Sequence, residues 1–358
     1  FYAPPSGYLA LCNANLPDPA IDPNKGENPE DYFNTVLYTS NQSTQSITGV
    51  GFQPDWVWIK DRSSSGYQHG LFDSVRGAGK SLESSTTTAE RTQTDSVTSF
   101  DLDGFSLGDN SEAGPGVNYG STGHVAWNWK AGGTGVTNDD GSIQSTVSAN
   151  TEAGFSIVSY TGTGSNATIG HGLGVAPDMI IVKNRSDGAD SWQVYHSANT
   201  SAPETERLKL NGTDATLDLN LWQDTAPTSS VFYIATDGAV NGSGENLISY
   251  CFANKEGYSK FGNYTGNGSS DGPFVYIGFR PSWVMIKRAI TSSTGSWVIV
   301  DSERAEHNPE TDALLANSTI AESTGYLNMD LLSNGFKLRD SGGTTNTSGD
   351  VYIYMAFA

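Results

Sequence analysis

A short apolar run that follows a proline occurs three times along the chain, at 51–60, 174–183 and 278–287. In each copy a glycine comes three residues before the proline, and four apolar residues and a lysine come after it. Because proline lacks the N–H that a strand ladder needs, it can only open a strand. The four apolar residues would then fill both faces, so the pattern predicts a strand that is buried on both sides. We expect Lys60, Lys183 and Lys287 to mark where each strand returns to water.

A second pattern, with large apolar residues at every other position, closes each copy at 125–129, 248–252 and 353–357. Alternation with a period of two is typical of a half-buried strand. The interval from the proline to the last aromatic is 75 residues in the first two copies and 76 in the third (Pro54 to Trp129, Pro177 to Phe252, Pro281 to Phe357). Unrelated segments would not keep that interval, so the sequence predicts three diverged tandem repeats.

The repeats divide the chain into six segments. We expect an extended proline-rich arm at 1–31, anchored by Tyr8, Leu9 and Leu11, and β repeats at 32–131, 154–253 and 261–358. A Gly/Ser/Thr-rich linker at 132–153 and a short joint at 254–260 would connect the repeats. Whether the three repeats pack as beads or around a pseudo-threefold axis stays open.

The composition favours an all-β protein. Glycine accounts for 41 of the 358 residues, which indicates many tight turns, and the periodic segments are rich in β-branched and aromatic residues. Units of roughly 100 residues each fit a small β-sandwich or jelly roll. We therefore predict an all-β fold of three tandem repeats, each like a β-sandwich or jelly roll, with an extended N-terminal arm.

The charge balance limits the partners. With 39 acidic and 19 basic residues the formal net charge is -20, which argues against binding to nucleic acid or to an anionic membrane. No apolar stretch reaches the length of about 18 residues that would predict a transmembrane helix. Acids around a predicted hairpin could hold calcium, but their spacing is not that of an EF-hand, so we favour solvated acids (Asp101, Asp103, Asp109 and Glu112). Cys251 fits a small buried thiol, and a disulfide with Cys12 stays open.

Charged residues recur at fixed places in the repeats. Asp73, His196 and Asp301 end the segment that follows each lysine, and a hairpin would set Lys60 near Asp73 and Lys287 near Asp301. Such a pair suits either catalysis or the fixing of strand register. We favour a cross-strand ion pair that fixes register.

Other motifs point to no chemistry. The segment 76–81, Arg-Gly-Ala-Gly-Lys-Ser, lacks the first glycine and the helix of a phosphate-binding loop, so we predict a surface turn. The histidines lack metal-ligand spacing and fit solvated or hydrogen-bonded loop residues (His69, His124, His171, His196 and His307). The number of carboxylates alone leaves open a glycosidase pair (two among Asp301, Glu303 and Glu306). We predict no catalytic, cofactor-binding or metal-ligating residue, no cofactor and no enzymatic activity.

Four boxes carry a resemblance to a known family: 51–62, 71–77, 157–164 and 334–339. They read GFQPDWVWIKDR, LFDSVRG, IVSYTGTG and NGFKLR, and they resemble tail-fibre-like or virion surface proteins of tailed bacteriophages, especially marine ones. The resemblance covers 32–358. The arm resembles the junction that follows a lectin-like domain in such proteins, so we expect the chain to be the C-terminal part of a longer product.

The resemblance implies a structural virion protein, a tail fibre or surface appendage located on the virion or outside the cell. Its loops would contact a host-surface glycan or other virion proteins. It also implies a homo-oligomer, with a trimer favoured, because repeated weak contacts gain avidity. The alternative is a bacterial extracellular adhesin or carbohydrate-binding module, and the third possibility is a tailspike-type glycan hydrolase.

Overall fold

The computed structural model describes residue 21 and residues 25–111, 114–290, 294–305 and 307–358. Within these ranges nearly every regular element is a β-strand, so the predicted all-β class is confirmed. The one α-helix there, α1 (Gly238–Asn241), has four residues, so the described ranges contain no helix that could span a membrane. Short 3-10 helices lie at Pro29–Asp31 and Pro203–Thr205. Several residues singled out in the sequence lie outside the described residues (Tyr8, Leu9, Leu11, Cys12, Glu112 and Glu306).

The first repeat forms two layers. Its strands are β1 (Phe33–Thr39), β2 (Gln45–Thr48), β3 (Trp56–Asp61), β4 (Gly70–Asp73), β5 (Lys80–Glu83), β6 (Arg91–Thr92), β7 (Val97–Asp101), β8 (Gly104–Leu107) and β9 (Gly123–Trp129). One sheet has the order β1-β9-β3-β4-β5-β6, and the other has the order β2-β8-β7. Residues of both sheets, among them Val57, Phe72 and Phe105, share one hydrophobic cluster, so the repeat has a core of its own.

The second repeat is built around a similar sheet. Its strands are β10 (Val136–Asn138), β11 (Ser145–Asn150), β12 (Phe155–Thr161), β13 (Ala167–Gly170), β14 (Met179–Asn184), β15 (Gln193–His196), β16 (Glu206–Lys209), β17 (Leu217–Asp218), β18 (Val231–Ile234) and β19 (Asn246–Phe252). The main sheet has the order β10-β11-β12-β19-β14-β15-β16-β17, and β13 pairs with β18. The run 132–153, predicted as a linker, instead holds β10 and β11, which extend this sheet.

The third repeat forms one eight-stranded sheet. Its strands are β20 (Ser259–Thr265), β21 (Phe274–Tyr276), β22 (Trp283–Ile290), β23 (Trp297–Asp301), β24 (Glu310–Leu315), β25 (Ser323–Leu332), β26 (Gly335–Leu338) and β27 (Val351–Phe357). Their order is β20-β27-β22-β23-β24-β25-β26-β21. Its two end strands share a hydrophobic cluster that includes Tyr264 of β20 and Val275 of β21, so the sheet curls over its own core.

Five strands recur in the same order in each repeat: β1-β9-β3-β4-β5, β12-β19-β14-β15-β16 and β20-β27-β22-β23-β24. The strand that follows the proline is central, and its first residue has equivalent partners on both sides. The sets are Trp56 with Trp129 and Asp73, Met179 with Phe252 and His196, and Trp283 with Phe357 and Asp301. Two of these strands, β3 and β14, are buried along their whole length, as the apolar run predicts for a doubly covered strand.

The three repeats pack around one shared core and not as separate beads. A single hydrophobic cluster takes residues from all three sheets and also holds Ile21. Aromatic rings meet across the repeats, with centroids 4.4 Å apart for Trp56 and Tyr250 and 5.6 Å apart for Trp129 and Trp283. Offset and edge-on ring pairs of this kind add to the stability that burial of apolar area supplies.

Three equivalent hydrogen bonds between the repeats run in one direction around the core. In each, a ring nitrogen of the residue that opens or immediately precedes β4, β15 or β23 contacts a backbone carbonyl of another repeat. The contacts are His69 Nε2 to Leu315 at 2.9 Å, Trp192 Nε1 to Glu83 at 2.9 Å, and Trp297 Nε1 to Lys209 at 2.8 Å. These contacts lead from the first repeat to the third, from the third to the second and from the second to the first. This closed cycle defines a pseudo-threefold arrangement within a single chain.

Candidate functional site: two grooves between the repeats

The three repeated lysines do not return to water, so that prediction is wrong. Lys60, Lys183 and Lys287 are fully buried. Each lies on the same strand face as the first residue of its strand, because side chains alternate with a period of two. Backbone carbonyls accept from each ammonium group, and Lys183 reaches three of them at 2.6, 3.2 and 3.0 Å. Burial lowers the pKa of each lysine to about 8.

The predicted lysine–aspartate ion pairs do not form either. The register places Asp73 and Asp301 opposite the first residue of the central strand, whereas the lysine lies near the other end of that strand. Each aspartate instead binds the arginine three residues on, Arg76 or Arg304, and all four side chains are fully buried. The error arises because the sequence shows which residues alternate but does not show where two strands pair.

The contact between the first and second repeats, the 1–2 interface, is a charged network whose Asp73 and Arg76 are fully buried and whose Glu90 and Arg185 are half-buried. Arg76 binds Asp73 and also approaches Glu90 at 3.3 Å. Arg185 of the second repeat donates two hydrogen bonds to Glu90, at 2.7 and 2.9 Å, and the Tyr250 hydroxyl donates to Asp73 at 2.7 Å. Burial alone would raise the pKa of Glu90, but the two arginines lower it overall. Two carboxylates and two guanidinium groups balance each other here.

The contact between the third and first repeats, the 3–1 interface, has the same design. Arg304 binds Asp301 and donates to Glu322 at 2.9 Å. Arg62 of the first repeat donates two hydrogen bonds to Glu322, at 2.9 and 2.8 Å. The Trp127 indole N–H donates to Asp301 at 2.9 Å, in the place where the 1–2 interface has a tyrosine hydroxyl.

The contact between the second and third repeats, the 2–3 interface, has neutral residues at every equivalent position. His196 donates from Nε2 to the Tyr354 carbonyl at 3.1 Å and accepts a backbone N–H at Nδ1. The Thr216 hydroxyl donates to the side-chain oxygen of Asn199 at 2.8 Å, and the Thr216 N–H donates to the Ala289 carbonyl at 2.8 Å. Burial lowers the pKa of His196 to about 4, so this histidine is neutral at pH 7.

Most of the other predicted loop positions are in fact inside the protein. His69, His124, His171 and His196 are buried, and His124 and His196 lie in strands β9 and β15, whereas His307 is exposed. The segment 76–81 is not a surface turn throughout, because its arginine is buried and its last two residues open β5. Cys251 is a buried free thiol, as predicted.

The acidic cluster near 101 is a hairpin whose carboxylates bind neighbouring groups. Asp103 accepts the backbone N–H groups of Gly49 and Gly51 at 3.1 and 2.7 Å, and these contacts lower its pKa. Asp101 accepts two serine hydroxyls. Across the described residues no group of three His, Cys, Asp or Glu side chains is placed to hold a metal ion.

Two grooves lie at equivalent places between repeats, at the end where the proline-started strands begin. The 1–2 groove has a volume of about 640 Å³ and lies between 51–55 of the first repeat and 149–152, just before the second. The 3–1 groove has a volume of about 810 Å³ and lies between 280–282 of the third repeat and 30–37 of the first. Both mix polar and apolar side chains, which suits binding of a small polar ligand.

The charged groups of the 1–2 groove are largely engaged within the protein. Glu152 accepts the Tyr32 hydroxyl at 3.1 Å, and the Lys130 ammonium lies 5.6 and 5.9 Å from the ring centroids of Tyr32 and Phe52. One oxygen of Asp55 accepts two backbone N–H groups of the segment that leaves β9, at 2.8 and 3.2 Å. Burial raises the pKa of Asp55. This groove therefore holds the connection between two repeats.

The equivalent groups of the 3–1 groove are free. Arg280 is exposed and has no carboxylate within ion-pair distance among the described residues. Glu30 is exposed, and its side chain has no hydrogen bond to any described residue. The Thr35 hydroxyl is buried and has no partner in the described part of the chain. Ser282 stands where the 1–2 groove has Asp55.

The grooves were not predicted, although the sequence contains a signal for them. The residue before the repeated proline is Gln53, Ala176 and Arg280 in turn, so one structural position carries three chemistries. A glutamate also stands three residues before the first residue of β1, β12 and β20 (Glu30, Glu152 and Glu256). Aligning the three repeats would have shown both positions but not that they face each other.

Comparison with known proteins identifies a family for the chain but does not indicate an activity. No curated protein matches the chain significantly. Among solved structures, a chondroitin lyase that is a baculovirus envelope protein aligns at 12% identity with a TM-score of 0.12, over 89% of this chain and 54% of that protein, too low to carry an argument. A family model matches residues 28–358 and so covers all three repeats. The chain therefore belongs to the family described as "Domain of unknown function (DUF7483)".

Proposed function

We propose that the chain is a non-enzymatic structural protein of a tailed-phage virion, a fibre or surface appendage. In this proposal the grooved end contacts a host-surface glycan or another virion protein. The resemblance of the boxes at 51–62, 71–77, 157–164 and 334–339 supports the virion assignment. The single observation that carries the binding role is the shared core, because it holds the two grooves at a fixed separation.

A rigid body suits weak, repeated recognition. The charged networks and ring contacts fix the repeats against each other, so binding would lose little conformational entropy. Several weak contacts held at fixed spacing gain avidity, in one chain or in the homo-oligomer, with a trimer favoured, that the resemblance implies. The pseudo-threefold arrangement already supplies three similar units in each chain.

The arrangement of Asp301 argues against a glycosidase pair that contains this residue. A glycosidase needs two carboxyl groups that face the substrate. The Asp301 side chain is fully buried, and it accepts from Arg304 and Trp127. It therefore cannot reach a sugar without disruption of the 3–1 interface.

Imaging of intact particles tests the proposal. Gold-labelled antibodies against this chain should mark a fixed position on purified particles of the phage that encodes it. The isolated protein should also bind host cells, and binding should strengthen with oligomerisation. Label on the bacterial surface and none on particles would support the adhesin alternative. Sugar released from host polysaccharide by the pure protein would contradict the non-enzymatic role.

A further inference from the structure

The 3–1 groove presents unused hydrogen-bonding groups on both of its walls. Arg280 can donate from one wall, and Glu30 can accept from the other. Burial and Asp301 raise the pKa of the buried Glu310 to about 7, and Arg280 acts against that rise without forming an ion pair with Glu310. The Thr35 hydroxyl, with 7% exposure, is an unpaired buried group at the same groove. An unpaired buried hydroxyl is costly, so it points to a polar partner from outside the chain.

The extra volume of this groove has a cause in the sequence. Thr35 occupies the second position after the first residue of β1, and the equivalent positions in β12 and β20 are Ile157 and Phe261. Both of these larger residues are buried in the shared core. A threonine in place of isoleucine or phenylalanine leaves space, and the space opens between Glu30 and Arg280.

The electrostatics select an uncharged ligand. Glu30 and Glu303 both line the groove, and the whole chain has a net charge of -20. A single guanidinium does not offset that field for an anion. A neutral ligand with neighbouring hydroxyl groups can instead donate to a carboxylate and accept from the guanidinium at the same time. Leu37 and Pro281 supply apolar surface for the C–H face of such a ligand.

We propose that the 3–1 groove is a subsite for an uncharged saccharide. Arg280 donates to one sugar hydroxyl, Glu30 accepts from its neighbour, and Thr35 fixes a third polar atom at the floor. This inference rests on the proposed function and narrows it to one groove and one class of sugar. The 1–2 groove is not a second copy of the subsite, because its glutamate and its lysine, Glu152 and Lys130, already contact the protein.

The test uses residues that the other repeats carry at the same positions. Arg280→Ala copies Ala176, and Thr35→Ile copies Ile157. The full chain and each variant are applied to immobilised neutral gluco-, manno- and galacto-oligosaccharides, with polygalacturonate as the charged counterpart. We expect the full chain to bind a neutral oligosaccharide and to bind polygalacturonate more weakly. Each substitution should weaken binding about tenfold, which is the effect of losing one charge-assisted hydrogen bond or the cavity for one group.

The matched control is Gln53→Ala, the same position in the 1–2 groove, and it should change binding less than about twofold. Thermal unfolding of every variant reports on folding, and Arg280→Gln, which copies Gln53, gives a second variant at the same site. Saccharide binding that survives Arg280→Ala and Thr35→Ile overturns the subsite but leaves glycan recognition in place. Failure to bind any saccharide overturns both the subsite and the glycan part of the proposed function. Preference for polygalacturonate overturns the assignment to an uncharged sugar.

Discussion

The 1–2 and 2–3 interfaces occupy equivalent places around the shared core but use opposite chemistry. The first has Asp73, Arg76, Glu90 and Arg185 in one charged network. The second has His196, Asn199, Thr216 and Ala289 at the same four positions. The backbone contacts are alike: Glu90 N–H donates to the Arg185 carbonyl, and Thr216 N–H donates to the Ala289 carbonyl.

The two interfaces differ in the whole set of charges and not in single residues. Each interface has no net charge, and neither leaves a single buried charge without its counterion. Removing one partner of a buried ion pair is strongly destabilising, whereas replacing the whole pair by neutral groups is often tolerated. The neutral interface therefore indicates that the backbone geometry holds the repeats together and that the charges must only match each other.

The largest expected effect comes from breaking one charged network. Arg76→Ala leaves Asp73 buried without its cation, and we expect a loss of about 3–5 kcal/mol in the free energy of unfolding. Asn199→Ala, at the equivalent position of the neutral interface, should cost only about 2 kcal/mol, because it removes the hydrogen bond from the Thr216 hydroxyl and the hydrogen bond to Glu206 but leaves no ion pair broken. Urea unfolding of both variants measures the two losses. Equal losses would mean that breaking the charged network destabilises the protein no more than breaking the neutral one.

The second-largest expected effect is a difference between the two interfaces in how their contribution to stability depends on pH. The pKa of His196 is lowered to about 4 in the folded protein by burial, so the folded state favours the neutral ring. The contribution of the neutral His196 ring to folding stability is complete above about pH 6.5. As the pH falls towards 4, the free energy of unfolding decreases by about 3 kcal/mol for this group. The pKa of Glu90 is lowered overall, so its contribution is complete above its unfolded value and is lost only below about pH 4.5.

A comparison of wild type with His196→Gln isolates the histidine contribution. The glutamine can still donate to the Tyr354 carbonyl but does not titrate. We expect the difference in unfolding free energy between the two proteins to shift by about 3 kcal/mol in favour of the variant between pH 7 and 4. A constant difference over that range would show that His196 is not held neutral by burial.

The sequence predicted the central strands because their signals are local. Proline, four apolar residues and a fixed interval identified Trp56, Met179 and Trp283 as equivalent, and the register places them so. The burial of the three lysines was not predicted, because periodicity assigns a side chain to a face of the strand but does not show what covers that face. A buried ammonium held by carbonyls depends on tertiary contacts that no local pattern records.

The interfaces and grooves could not be predicted for the same reason. Arg62 and Glu322 form a bidentate pair across 260 residues of sequence, and the 3–1 groove joins 30–37 to 280–282. The sequence contains the Asp-Ser-x-Arg pattern at 73–76 and 301–304 and its neutral version at 196–199. That pattern would have suggested a repeated salt bridge, but its partners from the next repeat become visible only once the repeats close around a common core.

The smallest expected effect tests most directly whether the 1–2 and 2–3 interfaces are interchangeable. Exchanging the whole 1–2 network for its neutral counterpart requires Asp73→His, Arg76→Asn, Glu90→Thr and Arg185→Ala together. It also requires Tyr250→Met, because Met355 is the equivalent residue in the neutral interface and a tyrosine hydroxyl would lose its acceptor. We expect the combined variant to lose no more than about 2 kcal/mol, less than Arg76→Ala alone, since no charge is left unpaired.

Measured against the sum of the five single substitutions, the combined loss should be smaller by about 3 kcal/mol or more, because residues in one network do not act independently. A variant that omits only Arg185→Ala provides the control, since it leaves one guanidinium without a carboxylate and should be less stable than the full exchange. If the five losses simply add, the two interfaces are not interchangeable and the charges, not the backbone geometry, decide how these repeats assemble.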